Sequence, residues 1–244
     1  MSKILITGGC SFSECITGNV VTWPTQLEKS LPDYKHISTG LGSQGNGLIS
    51  RKIIYEVSQQ LKNGVDPSDI LVCIMWSSVS RFDTYFDFSH PEFLKVPQNW
   101  MDNPTSFVRE NNHKKWQIFN HHWTAIKLNK LYYRELYSDV MATIQTLEHI
   151  LRVQWFLKTH NISYTMTTYM AHVFEKVNHP ECKYLYDMID KDHFLPVTGE
   201  YEWCKEVSMF DFPRKDDDHP GTEQHWEFTQ EVILPFLKQK GYIG

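Results

Sequence analysis

The longest apolar run in the chain, Ile70 to Trp76, is the feature that most restricts its fold. The run is too short to cross a bilayer but long enough for one β-strand. A strand that is apolar on both faces is typical of a parallel sheet covered by helices on both sides. Strand character recurs at residues 3–8, 34–38 and 162–168. The sequence therefore predicts an α/β fold with four parallel strands.

Helical segments alternate with these strands. A threonine cap followed by Pro24 predicts a helix that runs to about Ser30, and apolar spacing from Leu48 to Leu61 predicts another. Apolar spacing over 122–158 predicts one or two helices, and Thr222 is the expected cap of the last one. This order is typical of a three-layer α/β/α sandwich with a parallel, flavodoxin-like sheet. A short helix over 183–190 and a mostly irregular segment over 191–215 complete the prediction.

The expected organisation is a single domain, 1–244, with an insertion at about 83–120. The insertion is rich in Phe, Trp, Asn, Pro and His and follows no clean period. Long irregular segments of this kind are commonly functional. We expect the insertion to lie over one end of the sheet.

Composition excludes several classes of partner. A net charge of −5 and a pI near 6.2 give no reason to expect a nucleic acid. The five cysteines follow no metal-ligand or disulfide spacing, so we expect a reducing, cytoplasmic compartment and no metal or cofactor. The N-terminus leads directly into a strand rather than a signal peptide, and no segment is predicted to span a membrane.

Chemistry-bearing residues follow the predicted strands. The first strand ends in Gly8-Gly9-Cys10-Ser11, where glycines allow a sharp turn that offers a hydroxyl. A carboxylate and an imidazole lie close together far downstream, in Asp216 to Pro220. Sites in parallel sheets lie beyond the carboxyl ends of the strands. Ser11 and His219 can therefore share one site only if the fold brings the two ends of the chain together.

Four short blocks resemble the SGNH (GDSL) hydrolase superfamily. Gly9-Cys10-Ser11-Phe12 is similar to its first block, with Cys10 in place of an aspartate. Gly42 to Asn46 is similar to the second block, and Asp216 to Pro220 fits the last, Asp-x-x-His-Pro. The third block departs from the pattern, because Trp76-Ser77-Ser78 lacks its asparagine.

The resemblance implies an esterase or acylhydrolase with a catalytic triad. Ser11 would be the nucleophile, His219 the general base and Asp216 the residue that orients the imidazole, with Asp217 as a rival for that role. The oxyanion hole would comprise the N–H groups of Ser11 and Gly45, with the Ser77 hydroxyl in place of the missing asparagine.

Other assignments stay open at the sequence level. Cys10 is a rival nucleophile, and the 40–47 loop is either an oxyanion cradle or a flexible connector. Trp76 and Arg81 are candidate substrate-binding residues, although Arg81 could instead pair with Asp83 or Glu92 at the surface. The expected substrate is a small-molecule or carbohydrate ester: a lipid acyl ester or a carbohydrate O-acetyl group. The alternatives are an O-acyltransferase and a non-catalytic protein that binds a glycan or a partner.

Overall fold

The computed structural model describes residues 3–14, 16–17, 19–85, 116–120, 127–213 and 218–244. A four-stranded parallel sheet lies at the centre, in the order β4-β1-β5-β8. Its strands are β1 (Lys3–Gly8), β4 (Tyr34–Ser38), β5 (Ile70–Trp76) and β8 (Ser163–Thr168). Two short antiparallel pairs accompany it, β2 (Ile16–Thr17) with β3 (Val20–Val21) and β6 (Phe82–Tyr85) with β7 (Trp116–Phe119).

Helices flank the sheet and give the predicted three-layer α/β/α arrangement. Helix α2 (Asn46–Lys62) packs on α4 (Asp139–Thr159), and α1 (Trp23–Ser30) packs on α7 (Thr222–Phe228). A π-helical turn, Thr229–Ile233, joins α7 to α8 (Leu234–Gln239). The other α-helices in the described part of the chain are α3 (Lys127–Glu135), α5 (Pro180–Asp187) and α6 (Glu200–Glu206).

The core explains why the strands lie in this order. All seven residues of β5 are buried, and five of the six in β1 are buried as well. These two strands are neighbours in register, with Ile6 opposite Val72, so the most apolar segments occupy the middle of the sheet. Burial of continuous apolar strands by helices is the main stabilising contribution in such a fold.

Of the one or two helices expected over 122–158, the structure has two, and the second begins after the capping Ser138. The structure differs from the sequence-based expectation elsewhere. Helix α6 lies inside the stretch expected to be irregular, since its buried Glu200 and Trp203 give it a core face. Gly221, not Thr222, caps α7, because the Thr222 hydroxyl accepts a hydrogen bond from the Val21 N–H at 3.0 Å instead.

The predicted insertion begins and ends in the β6–β7 pair, where Phe82 lies opposite Phe119. Most of it, residues 86–115, lies outside the described residues. Within the part of the chain that is described, no helix has the length and apolar character that a membrane span requires.

Asp83 links β6 to the start of α2. Its carboxylate is buried and accepts hydrogen bonds from the N–H groups of Gly45 and Leu48, both at 2.9 Å. Burial raises the pKa of Asp83, and the two N–H donors oppose that rise. The carboxylate therefore satisfies backbone donors that the first turn of a helix leaves without partners.

Replacing Asp83 by asparagine is expected to lower the free energy of unfolding by about 2 kcal/mol. The asparagine amide would present an NH₂ group to one of the two N–H donors, which would then be buried without an acceptor. Urea unfolding of the purified variant measures this loss. Asp66→Asn is the matched control, because Asp66 accepts from the Ser68 N–H at 2.8 Å at an exposed turn. A loss in the control as large as that in Asp83→Asn would contradict the assignment.

Candidate active site

The loops that follow the four parallel strands surround a cleft of about 660 Å³ at the carboxyl edge of the sheet. Ser11 and Phe12 come from the loop after β1, and Ser43 from the loop after β4. Arg81 follows β5 and His172 follows β8. The segment before α7 contributes Asp218 and His219. This is the position at which parallel α/β sheets bind their ligands.

Ser11 and His219 meet in this cleft. Ser11 Oγ lies 2.8 Å from His219 Nε2, across 208 positions of sequence. Both side chains are partly exposed, so a ligand in the cleft has access to them. A hydroxyl at this distance from an imidazole nitrogen has the geometry needed to transfer a proton.

The turn that carries Ser11 is held tightly. Ser11–Ser13 forms one turn of 3-10 helix, and the buried Ser13 hydroxyl accepts from the Trp23 indole N–H at 3.0 Å. A Cβ on Gly9 would lie 2.1 Å from Ser13 Oγ, so only glycine fits there. Cys10 has no exposed surface and belongs to the hydrophobic core, which removes it from the cleft as a rival nucleophile.

Phe12 contacts both His219 and His225, and His225 is paired with a buried carboxyl group. Its ring is 5.0 Å from the His219 ring and 6.3 Å, edge to face, from that of His225. His225 Nδ1 is 2.7 Å from Glu200 Oε1, and both side chains are buried. Burial raises the pKa of Glu200, and His225 opposes that rise.

The expected acidic partner of His219 lies outside the described residues. Asp216 and Asp217 both fall within 214–217, whose structure is not described. Asp218 is described, is exposed, and accepts a hydrogen bond from the Tyr201 hydroxyl at 3.4 Å.

The prediction that Gly45 supplies an oxyanion donor is wrong. Its N–H donates to Asp83 Oδ1 as part of the α2 cap and is buried. In the same loop, the Gly42 N–H donates to Glu14 Oε2 at 3.1 Å. The residue of this loop that reaches the cleft is Ser43, which has a left-handed backbone with φ of 64°. Such a conformation in a non-glycine residue is uncommon and is found often at functional sites.

Trp76 and Ser77 also require correction. Both have no exposed surface, and neither lines the cleft. Trp76 closes the buried strand β5 and packs in the core, so it cannot contact a substrate. The backbone of Ser77 is occupied by the Asn46 side chain, which accepts from its N–H at 2.7 Å and donates to its carbonyl at 2.9 Å. The Ser77 hydroxyl accepts from Arg81 Nη1 at 2.9 Å.

Arg81 lines the cleft, as a substrate-binding residue must. Its guanidinium carbon lies 5.4 Å from the centroid of the Tyr169 ring, within the range of a cation–π contact. The alternative of a surface ion pair with Asp83 is wrong, because the Asp83 carboxylate is buried on the α2 N-terminus. Glu92 lies outside the described residues.

A network of polar side chains forms part of the wall of the cleft. His172 Nε2 lies 2.9 Å from the Tyr169 hydroxyl and 3.3 Å from Ser78 Oγ, and Ser78 Oγ lies 2.9 Å from Ser80 Oγ. Burial lowers the pKa of His172, which favours its neutral form, and raises the pKa of Tyr169 to about 12. The wall therefore offers neutral donors and acceptors to a ligand.

Sequence reasoning missed Ser43, Tyr169 and His172. Tyr169 and His172 directly follow the strand predicted at 162–168, so the rule that sites follow parallel strands would have found them. Ser43 gave a weaker signal, because it is a serine within the glycine-rich segment that follows the second predicted strand.

Comparison with known proteins shows the fold of this chain but not its chemical activity. A model of a family of unknown function (DUF6071) matches residues 17–195, which is more than half of the chain. No curated protein matches the sequence. A solved structure titled "Crystal Structure of TesA" is similar over 97% of this chain and 99% of that chain, with a TM-score of 0.51 and 12% identity. At that identity the likeness shows the fold alone, a parallel sheet flanked by helices, which agrees with the predicted three-layer α/β/α sandwich.

Proposed function

This chain belongs to the DUF6071 family of unknown function, and we propose that it is a serine hydrolase that cleaves an ester through Ser11 and His219. The observation that supports the proposal most strongly is the 2.8 Å separation of Ser11 Oγ from His219 Nε2 within an open cleft. A serine hydroxyl is a weak nucleophile unless a neighbouring base accepts its proton.

The reaction follows from this pair. His219 Nε2 accepts the proton of Ser11 as Oγ bonds to the ester carbonyl carbon, and the π electrons of the carbonyl move to its oxygen. When the electrons return, the bond to the alcohol oxygen breaks and His219 gives its proton to the departing alcohol. Water then repeats both steps on the acyl-enzyme and releases the acid. Asp216 is our candidate for the residue that orients His219, by its position in the Asp-x-x-His-Pro block.

The lining of the cleft favours a polar substrate over a long acyl chain. Ser43, Ser80, Asn120 and Thr143 line it together with the Tyr169–His172–Ser78 network. Among the described residues that line it, the side chains without a polar group are Phe12, Val79 and Met170. A fatty acyl chain needs a continuous apolar surface, whereas hydroxyl-rich alcohols need distributed donors and acceptors. We therefore propose a small acyl group, such as acetyl, on a hydroxyl-bearing alcohol such as a carbohydrate.

One observation supports a second candidate, a non-catalytic protein that binds a polar ligand in the same cleft. The N–H groups of Gly42 and Gly45 both donate to carboxylates, so neither is free to stabilise an oxyanion. An O-acyltransferase would use the same residues, with a sugar hydroxyl in place of water in the second half of the reaction.

A fluorophosphonate probe is expected to label wild-type protein at Ser11, because the phosphonylated serine forms only when a base activates the hydroxyl. Mass spectrometry of the labelled peptide identifies the residue. Ser11→Ala should remove the label, and Ser13→Ala is the matched control, since Ser13 lies in the same turn but is buried. Absence of labelling in a folded wild-type protein, judged by circular dichroism, would favour the binding protein over the hydrolase.

A further inference from the structure

We propose that Arg81 is a catalytic residue that donates hydrogen bonds to the oxyanion formed when Ser11 attacks the substrate. The inference rests on the proposed hydrolase function and assigns to that site a group that stabilises charge. It also explains how the cleft can stabilise an oxyanion although no asparagine directly follows β5.

Arg81 enters the cleft close to the turn that carries Ser11. It follows β5, the strand next to β1, so it enters the cleft from the loop adjacent to the Ser11 turn. The Phe12 ring, next to Ser11, makes an edge contact with the Tyr169 ring at 5.4 Å, and Tyr169 lies beneath the Arg81 guanidinium. A continuous contact therefore connects the nucleophile turn to the cation.

Arg81 is also held in place. Ser77 Oγ accepts from Arg81 Nη1, and Asn46 fixes Ser77 through both of its backbone groups. The guanidinium also stacks on Tyr169. An oxyanion donor must be preorganised, because reorganising it during the reaction would cost much of its benefit. Arg81 meets this condition although its side chain is long.

Arg81 has more hydrogen-bond donors than its bond to Ser77 uses. A guanidinium has five N–H groups, and within the described residues Arg81 uses Nη1 for its bond to Ser77. The other donors of the fork are available to an oxygen in the cleft. Lys176, a second cation at the cleft, instead pairs with Glu175 Oε1 at 3.0 Å and is more exposed.

Chemically, the proposal needs no additional reactant. When Ser11 Oγ bonds to the carbonyl carbon, one electron pair of the C=O bond moves to oxygen and creates a negative charge. Arg81 N–H groups donate to that oxygen, and no proton leaves Arg81. These hydrogen bonds are stronger in the tetrahedral intermediate than with the neutral ester. They therefore lower the activation free energy more than they change the affinity for the substrate.

Replacing Arg81 by methionine is expected to reduce kcat for a neutral ester, p-nitrophenyl acetate, by about 10²- to 10³-fold while KM changes less than about threefold. Arg81→Lys should recover part of the rate, because an ammonium keeps the charge but not the fork. Arg134→Met is the matched control and should retain the wild-type kcat, because Arg134 is exposed on α3, pairs with Glu135 and does not line the cleft. A boronic acid that forms a tetrahedral adduct with Ser11 should bind Arg81→Met more weakly by a factor similar to the loss in kcat.

The outcomes separate this inference from the function on which it rests. If wild type hydrolyses the ester in a Ser11-dependent manner and folded Arg81→Met retains its kcat, the role of Arg81 is wrong and the hydrolase stands. If Arg81→Met raises only KM, and only for p-nitrophenyl hydrogen succinate, Arg81 binds a substrate carboxylate instead. If wild type shows no Ser11-dependent hydrolysis or labelling, the hydrolase fails and the oxyanion role fails with it.

Discussion

Replacing His219 by glutamine is expected to reduce kcat for ester hydrolysis by roughly 10⁴- to 10⁶-fold. Glutamine can still hydrogen-bond to Ser11, which lies 2.8 Å from His219 Nε2, but its amide cannot accept the hydroxyl proton. The activated nucleophile is then lost while the contact is kept. Steady-state kinetics with p-nitrophenyl acetate measures the effect.

The double variant of Ser11→Ala and His219→Gln gives the sharper result. Because the two residues act as one unit, we expect the double variant to be no slower than either single variant. His160→Gln is the control: His160 precedes β8, so it lies at the opposite edge of the sheet from the cleft. Additive losses from Ser11→Ala and His219→Gln would show that the two side chains do not work together.

Gly40→Ala is expected to have the largest effect on stability, lowering the free energy of unfolding by about 3 kcal/mol. A Cβ at Gly40 would lie 2.0 Å from the Ser13 carbonyl oxygen and 2.6 Å from its carbon. Both atoms belong to the backbone, so relief requires moving the turn that carries Ser11. Activity should fall together with stability. Thermal and urea unfolding, with ester hydrolysis below the transition, test the two effects.

Gly42→Ala provides the comparison, since it adds the same methyl group two residues further along the same loop. Its Cβ would lie 3.0 Å from the Glu14 Oε2 atom, the end of a flexible side chain that can move away. We expect a loss below about 1 kcal/mol. If both variants are equally stable, the close packing of the 40–47 loop against the Ser11 turn does not limit stability.

The central sheet could be predicted from local patterns because those patterns report burial. Strands predicted at 3–8, 34–38 and 70–76 have those bounds in the structure, and the fourth begins one residue later than expected. Continuous apolar runs indicate strands covered on both faces, and Gly8 marks the end of β1. Helix α6 escaped prediction because its burial depends on contacts with α7, which are distant in sequence.

The partners of individual polar groups were decided by tertiary structure. Gly45 and Ser77 belong to motifs that suggest oxyanion donors. In the structure, however, the Gly45 N–H donates to Asp83 and the Ser77 hydroxyl accepts from Arg81. Asp83 follows β5 and reaches the glycine loop only because β5 lies beside β1, with β4 on the far side of β1. Arg81 instead meets Ser77 within the segment that follows β5. A motif specifies residue types at a spacing, but a hydrogen bond depends on which donor and acceptor the fold brings within about 3 Å.

The sequence by itself was enough to predict the parallel α/β architecture and to identify Ser11 and His219 as a candidate pair. Only the tertiary structure decided that the side chains of these two residues, 208 positions apart in sequence, lie 2.8 Å from each other, and that Arg81, not Ser77, faces the cleft. The physical reason is that burial is recorded in the local order of apolar residues. The convergence of polar side chains instead depends on the order of strands in the sheet, which no local pattern contains.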